Sequence, residues 1–442
     1  MLKVILTFIL ITPLLLADGS LAEPLPAATR ETEHEEEHEA EHEAEHEAEI
    51  DRKVDILAEE VARLREQMVL PEKEEYRSAY GLGPAASKVY QATRGLSLGG
   101  YGEFHYQNVV ADAAPADVDR FDIPRVVLYG GYKFSPRILM NVEFEFEHAE
   151  VAEVEFAYLD FLLADEINLR AGLMLLPVGI INEMHEPTVY RGNLRPLVER
   201  RVIPTTWREI GAGIFGEPFE GLLYRLYVVT GMDATKFSAG GWAAGRQHGR
   251  NAVGEDVAIV ARVDYDAGRH VRAGGSFYWG GADQGKVVDA AGDELSVETT
   301  LGEGHAQLRV GGLELRALGA IGHVRNAGQL SLTVDPDGTS LVASDVFGGY
   351  FEATYDLVPL FSRTATWSLA PWTRIERVDT QRDVPEIAGR SADEARRIVA
   401  IAAGLDFKPL AQVVVKGEYQ HQVSDAAEPA ADSIFLGGGF IF

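Results

Sequence analysis

The stretch Val142-Glu143-Phe144-Glu145-Phe146-Glu147 constrains this chain more than any other. In an extended strand successive side chains point to opposite faces, so three carboxylates share one face and three apolar groups the other. A buried core strand has no room for such a pattern. It suits a membrane barrel, whose apolar strand face meets lipid and whose polar face meets a wet lumen.

The same period of two recurs along most of the chain. After Gly95, residues Leu96, Leu98, Gly100, Gly102, Phe104 and Tyr106 share a face, opposite Ser97, Gly99, Tyr101, Glu103, His105 and Gln107. Val399, Ile401, Ala403, Leu405 and Phe407 form another apolar row. Candidate strands start near 95, 121, 137, 153, 166, 209, 222, 253, 270, 295, 306, 345, 366, 396, 411 and 432. The expected fold is therefore an all-β transmembrane barrel of 16 antiparallel strands, or 18 if Gly311-Gly312 hides a further turn. The last strand places Ile434, Leu436, Phe440 and Phe442 on one face, and a final strand ending in Phe matches the assembly signal of outer-membrane barrels. A soluble β-sandwich or secreted β-rich enzyme also alternates, but its outward face is the polar one.

The region before the barrel has another character. Lys3, the apolar block Val4 to Leu16, and the small residues of Ser20-Leu21-Ala22 read as a secretory signal over 1–22. With no cysteine, no lipid anchor or disulfide is expected. Residues 23–75 hold 20 acidic against 6 basic residues, about half of the net charge of −29. Such a balance disfavours nucleic acid, whose partners carry basic patches. From Ile50 the spacing becomes heptad, with Val54, Val61 and Met68 at a and Ile50, Leu57 and Leu64 at d, ending at Pro71. β-branched a residues with Leu at d favour a dimer in isolation, but attachment to a trimeric barrel would override this. Residues 76–94, with Gly81, Gly83 and Pro84, read as a linker to a barrel over 95–442.

The run Tyr129-Gly130-Gly131-Tyr132-Lys133-Phe134-Ser135-Pro136, then Tyr158-Leu159-Asp160 with Asn168-Leu169-Arg170-Ala171-Gly172, and Leu176-Pro177-Val178-Gly179 ahead of a long loop, resemble the phosphate-selective porins O and P. The resemblance covers roughly 95–442. It implies a 16-stranded homotrimer in the bacterial outer membrane, with a loop folded into the pore and passive diffusion of small solutes or ions, often anions. It implies no cofactor. The heptad segment ahead of the barrel reads on its own pattern as a periplasmic coiled-coil extension. The chain departs from the family at its lumen faces, where Glu143, Glu145, Glu147, Glu155 and Glu418 stand with Arg170 and no basic row can be mapped, so phosphate selectivity does not carry over.

The candidate constriction is the loop 177–208, with Arg191, Arg195, Arg200, Arg201 and Arg208 against Glu183, Glu186 and Glu199. Guanidinium groups lining a pore favour anions; the bland alternative is a solvated loop, or one whose arginines merely pair with wall glutamates. His34, His38, His42 and His46 recur every four residues, so neighbouring pairs can share a metal ion. A four-residue repeat drifts around a helix by about 40° per step, so all four cannot meet at one ion, and a solvated spacer is the simpler reading. No nucleophile elbow, zinc-protease or phosphate-loop motif is present, and no enzyme is expected. Two other roles remain open: an outer-membrane anchor presenting a coiled coil, and a metal-uptake channel with a metal-concentrating arm.

Overall fold

The computed structural model describes residues 48–60, 76–111, 117–289, 291–336, 338–362, 364–426 and 431–442. The expected signal segment 1–22, His34, His38, His42 and His46, and the heptad positions Val61, Leu64 and Met68 lie outside these. Residues 48–60 form helix α1, on which Ile50, Val54 and Leu57 are exposed. The chain divides into two compact units, residues 1–64 and 65–442.

The second unit is a closed barrel of 16 antiparallel strands, each paired with its neighbour in sequence, with the last strand closing on the first. The strands are β1 (Gly95–Ala111), β2 (Arg120–Ser135), β3 (Ile138–Glu147), β4 (Val151–Leu162), β5 (Asn168–Leu175), β6 (Arg208–Phe219), β7 (Leu222–Thr230) and β8 (Val257–Ala267). They continue as β9 (Val271–Gly281), β10 (Glu298–Val310), β11 (Leu313–Val324), β12 (Asp345–Tyr355), β13 (Ser368–Asp383), β14 (Arg397–Leu410), β15 (Val413–Ser424) and β16 (Asp432–Ile441). The seam runs from Tyr101 opposite Ile441 up to Ala111 opposite Asp432. Gly100 and Phe442 exchange both backbone hydrogen bonds, at 3.0 and 2.9 Å, so Phe442 takes part in closure.

The alternation places side chains as the pattern requires. Phe144 and Phe146 are exposed outward while Glu143 and Glu145 are buried on the lumen side, and Glu147 is half-buried there. Val399, Ile401, Leu405 and Phe407 also face out, as do Ile434, Leu436, Phe440 and Phe442 at the seam. An outward band of large apolar groups around a closed sheet is the surface a bilayer requires, and closure leaves no unpaired edge. No helix among the described residues is long and apolar enough to cross a membrane.

One strand start is corrected. The start expected near 306 falls inside β10, an unbroken strand of 13 residues, and Gly311-Gly312 is its turn to β11, not an added one. Gly311 adopts φ +59°, which a glycine takes without strain. The 18-strand alternative is thereby removed.

Two segments turn back into the lumen. Between β5 and β6 the chain runs inward through residues 176–207, carrying the short helix α3 (Val198–Arg201). Before β1, the residues read above as a linker carry helix α2 (Lys88–Gln91), with Leu82, Ala85, Ala86 and Val89 buried. A further helix, α4 (Ala327–Val334), lies between β11 and β12.

Candidate pore constriction

The loop 176–207 crosses the barrel and is tied to wall strands around most of its circumference. Near its start Arg262 of β8 donates to the Gly179 carbonyl, and Arg225 of β7 pairs with Glu183. The Tyr190 hydroxyl donates to Glu103 of β1, and Arg316 of β11 to the Val189 carbonyl at 3.0 Å. Lys408 of β14 donates to the Thr188 carbonyl at 2.6 Å, and Lys416 of β15 to those of Tyr190 and Gly192 at 3.1 and 2.6 Å. Glu418 of β15 accepts from Asn193 N at 2.7 Å, and Glu376 of β13 from Val198 N at 3.2 Å. Backbone groups that would otherwise be orphaned inside the barrel are thus satisfied by wall side chains, the condition for burying irregular chain. An apolar set of Leu176, Val178, Ile181, Val198, Val202 and Trp207 packs alongside, with Trp207 against Tyr278 at 4.6 Å between ring centroids.

The five expected arginines do not act as one ring. Arg191 pairs with Glu314 at 2.9 Å and lies 3.6 Å from Asp406, while Arg208, the first residue of β6, pairs with Glu153. Arg195 is buried and donates to Thr205 Oγ1 at 2.6 Å within the loop. Arg200 is half-buried on α3, and beside it Arg201 is exposed. Glu143, Glu145 and Arg170 are buried within the barrel, and Glu147 is half-buried. Arg125 joins Glu145 at 3.4 Å and Glu103 at 3.1 Å. Arg170 grips Asp160 with two donors, Nε at 2.8 Å and Nη2 at 2.9 Å.

Burial sets the charge state of several loop groups. It pushes Glu199 up to about 7, although Ile181 N and the Tyr350 hydroxyl donate to it at 2.6 and 2.8 Å. It also pushes Glu186 up to about 7 against donation from Ala86 N and Ala85 N. On Arg200 it acts in the other sense, lowering the guanidinium below its ordinary value. For His185 burial opposes charge, but Glu155 and Glu143 outweigh it and hold the ring above its ordinary range.

Sequence reasoning missed the second inward segment. Glu186 accepts from Ala85 N at 2.8 Å and Ala86 N at 3.1 Å, so residues 79–92 dock directly onto the loop. Asn141 of β3 donates to the Ala86 carbonyl at 3.0 Å. Tyr90 donates to Asp160 at 2.6 Å and accepts from Arg170 at 2.7 Å, joining α2 to the strongest wall ion pair nearby. Gly131 of β2 supplies the groove for Val89, since a Cβ there would stand 2.5 Å from that side chain. Beside this segment a cavity of about 450 Å³ remains, lined by Ser78, Tyr80, Glu183, Arg225, Asp264 and Arg272 among others.

No family model matches the chain. An uncharacterized protein of Aquifex aeolicus (strain VF5) is 34% identical over 373 residues, covering 81% of this chain and 82% of that protein. The chain belongs to that protein's family. Among solved structures it is similar to a loop-deletion mutant of OmpT, an outer membrane protein of Vibrio cholerae, at 9% identity and a TM-score of 0.53, covering 79% of this chain and all of that one. It is likewise similar to Salmonella typhi OmpF in complex with daunomycin, at 13% identity and a TM-score of 0.51, covering 79% and 98%. At such identities the shared property is the fold alone.

Proposed function

We propose that this protein is an outer-membrane channel for passive diffusion of small hydrophilic solutes or ions, with loop 176–207 as its constriction. The observation that carries the reading is an apolar exterior around a charged lumen, crossed by a loop held by wall side chains from β1 to β15. Two inward segments share that lumen, so the passage is narrow and conductance is small. Homotrimerisation, as the resemblance to the porins O and P implies, gives three such passages per assembly.

The channel prefers anions. Loop 177–208 carries five arginines against three glutamates, and Glu199, held up at about 7, is only partly charged at neutral pH. Arg200 and Arg201 sit side by side on α3, where no wall ion pair neutralises them among the described residues. Planar-bilayer recording of the purified protein in a KCl gradient tests both statements. Stepwise conductance with a reversal potential of the sign for chloride is expected. Absence of conductance above background removes the channel, whereas a cation-selective pore gives control to the row Glu143, Glu145 and Glu147.

A further inference from the structure

Strands β3 and β4 pair irregularly at one point. Glu143 lies opposite Phe156 and Phe144 opposite Val154, which leaves Glu155 as the extra residue of a bulge. In a regular strand Glu155 and Phe156 would point to opposite faces, yet both are buried on the lumen side. Bulges re-aim single side chains in this way and concentrate beside functional sites. Here the bulge brings a second carboxylate next to Glu143, beneath the loop.

His185 completes the group. Its Nε2 lies 3.2 Å from Glu143 Oε1 and 3.4 Å from Glu155 Oε2. The ligand atoms of the three residues all lie within 4.8 Å of one another, and all three side chains are essentially inaccessible to solvent. The other ring nitrogen, Nδ1, is 2.9 Å from the Asn182 carbonyl, the outer contact that fixes tautomer and ring orientation in metal-ligating histidines. Both oxygens of Glu155 and Oε2 of Glu143 have no hydrogen-bond partner. The nearest guanidinium, Arg208, stands 4.0 Å from Glu155, beyond hydrogen-bond range. Buried carboxylate oxygens without donors are costly, and the single N–H that His185 can offer satisfies one of them.

We propose that Glu143, Glu155 and His185 bind a divalent first-row transition ion, zinc or manganese, which clamps the constriction loop to β3 and β4. Metal–ligand bonds of about 2.0–2.2 Å set ligand atoms roughly 3–3.5 Å apart, the range of the two distances from His185 Nε2. Two carboxylates with a neutral imidazole balance a charge of two, and this mixed nitrogen and oxygen set suits such ions. Water fills the remaining positions. The site is separate from the histidines His34 to His46 and stands whether or not the lumen conducts.

The test uses the full chain, folded in detergent, with His34, His38, His42 and His46 replaced by alanine and all metal first stripped with chelator. Calorimetry and elemental analysis with zinc should give one ion per chain. Paramagnetic resonance with manganese should show the broadened signal of a bound ion. His185→Ala and Glu155→Gln should each lose that ion, and zinc should raise the unfolding temperature of the parent chain but not of Glu155→Gln. The parent chain needs no cluster substitution, so a folding defect in the variants leaves the binding result intact. No bound ion in the parent chain overturns the proposal and makes the cluster a protonated clasp. Equal stoichiometry in His185→Ala, with the barrel folded, overturns it as well.

Discussion

Glu186→Ala isolates the contact between the inward segment and the loop. The substitution removes the acceptor of two buried donors, Ala85 N and Ala86 N, and offers no replacement. Each orphaned buried amide costs about 1–3 kcal/mol, so docking weakens by roughly 2–6 kcal/mol. The lower figure already raises the undocked population about 30-fold. Hydrogen exchange reads this directly, because segments open locally with their own free energies. The reporters should be amides outside the altered pair: Ser87 N, bonded to the Gly83 carbonyl at 3.0 Å, and Tyr90 N, bonded to that of Ser87 at 3.1 Å. Exchange at both should accelerate at least about 30-fold while β-strand amides stay protected. An acceleration below about threefold would mean that Tyr90, Asn141 and the buried apolar residues hold the segment unaided, and the reasoning fails.

Two further predictions concern stability. Glu199 faces Ile181 N, the Tyr350 hydroxyl of β12, and Glu303 and His305 of β10, while its neighbour Val198 is bonded to Glu376 of β13. Its raised folded-state value means that stability is fully present below the unfolded value of about 4.3 and falls as pH rises to about 7, by on the order of 3 kcal/mol. Denaturant titrations across that window should show this slope flattened in Glu199→Gln, and an unchanged slope would assign it to other groups. On the outer face, Phe144→Arg should destabilise the bilayer-inserted barrel by about 2–4 kcal/mol if it lies near the midplane, measured by unfolding from vesicles. The same barrel in detergent should lose much less.

How far the sequence foretold this molecule depended on whether a feature was local. The alternation through Val142 to Glu147 is local, and it identified both the outward apolar band and the inward glutamates. The start placed near 306 falls inside β10, whose unbroken pairing with β9 and β11 is set by partners on other strands and not by its own residues. Residues 76–92 left no periodic trace, because Gly81, Gly83, Pro84, Ala85 and Ala86 read as a flexible connector. Contacts distant in sequence, from Asn141, Asp160 and Arg170 of the wall and Glu186 of the loop, turn that stretch into packed structure. Nor did the loop's arginine count reveal how Arg191 and Arg208 are used, since their partners Glu314 and Glu153 come from separate strands. Glu155 was legible as an inward carboxylate but its neighbours were not, because the bulge that aims it belongs to the pairing of two strands.

The seam between β1 and β16 also orders events in time. It unites the first and last strands, so the ring cannot shut until the final residues, down to Phe442 opposite Gly100, have been made. Residues 79–92 are held by Asn141 of β3, Asp160 of β4 and Arg170 of β5, whereas loop 176–207 is fastened mainly by strands from β7 to β15. The anchorage of the loop is therefore complete only once the late strands have joined the sheet, so the seating of the constriction depends on the closing of the wall.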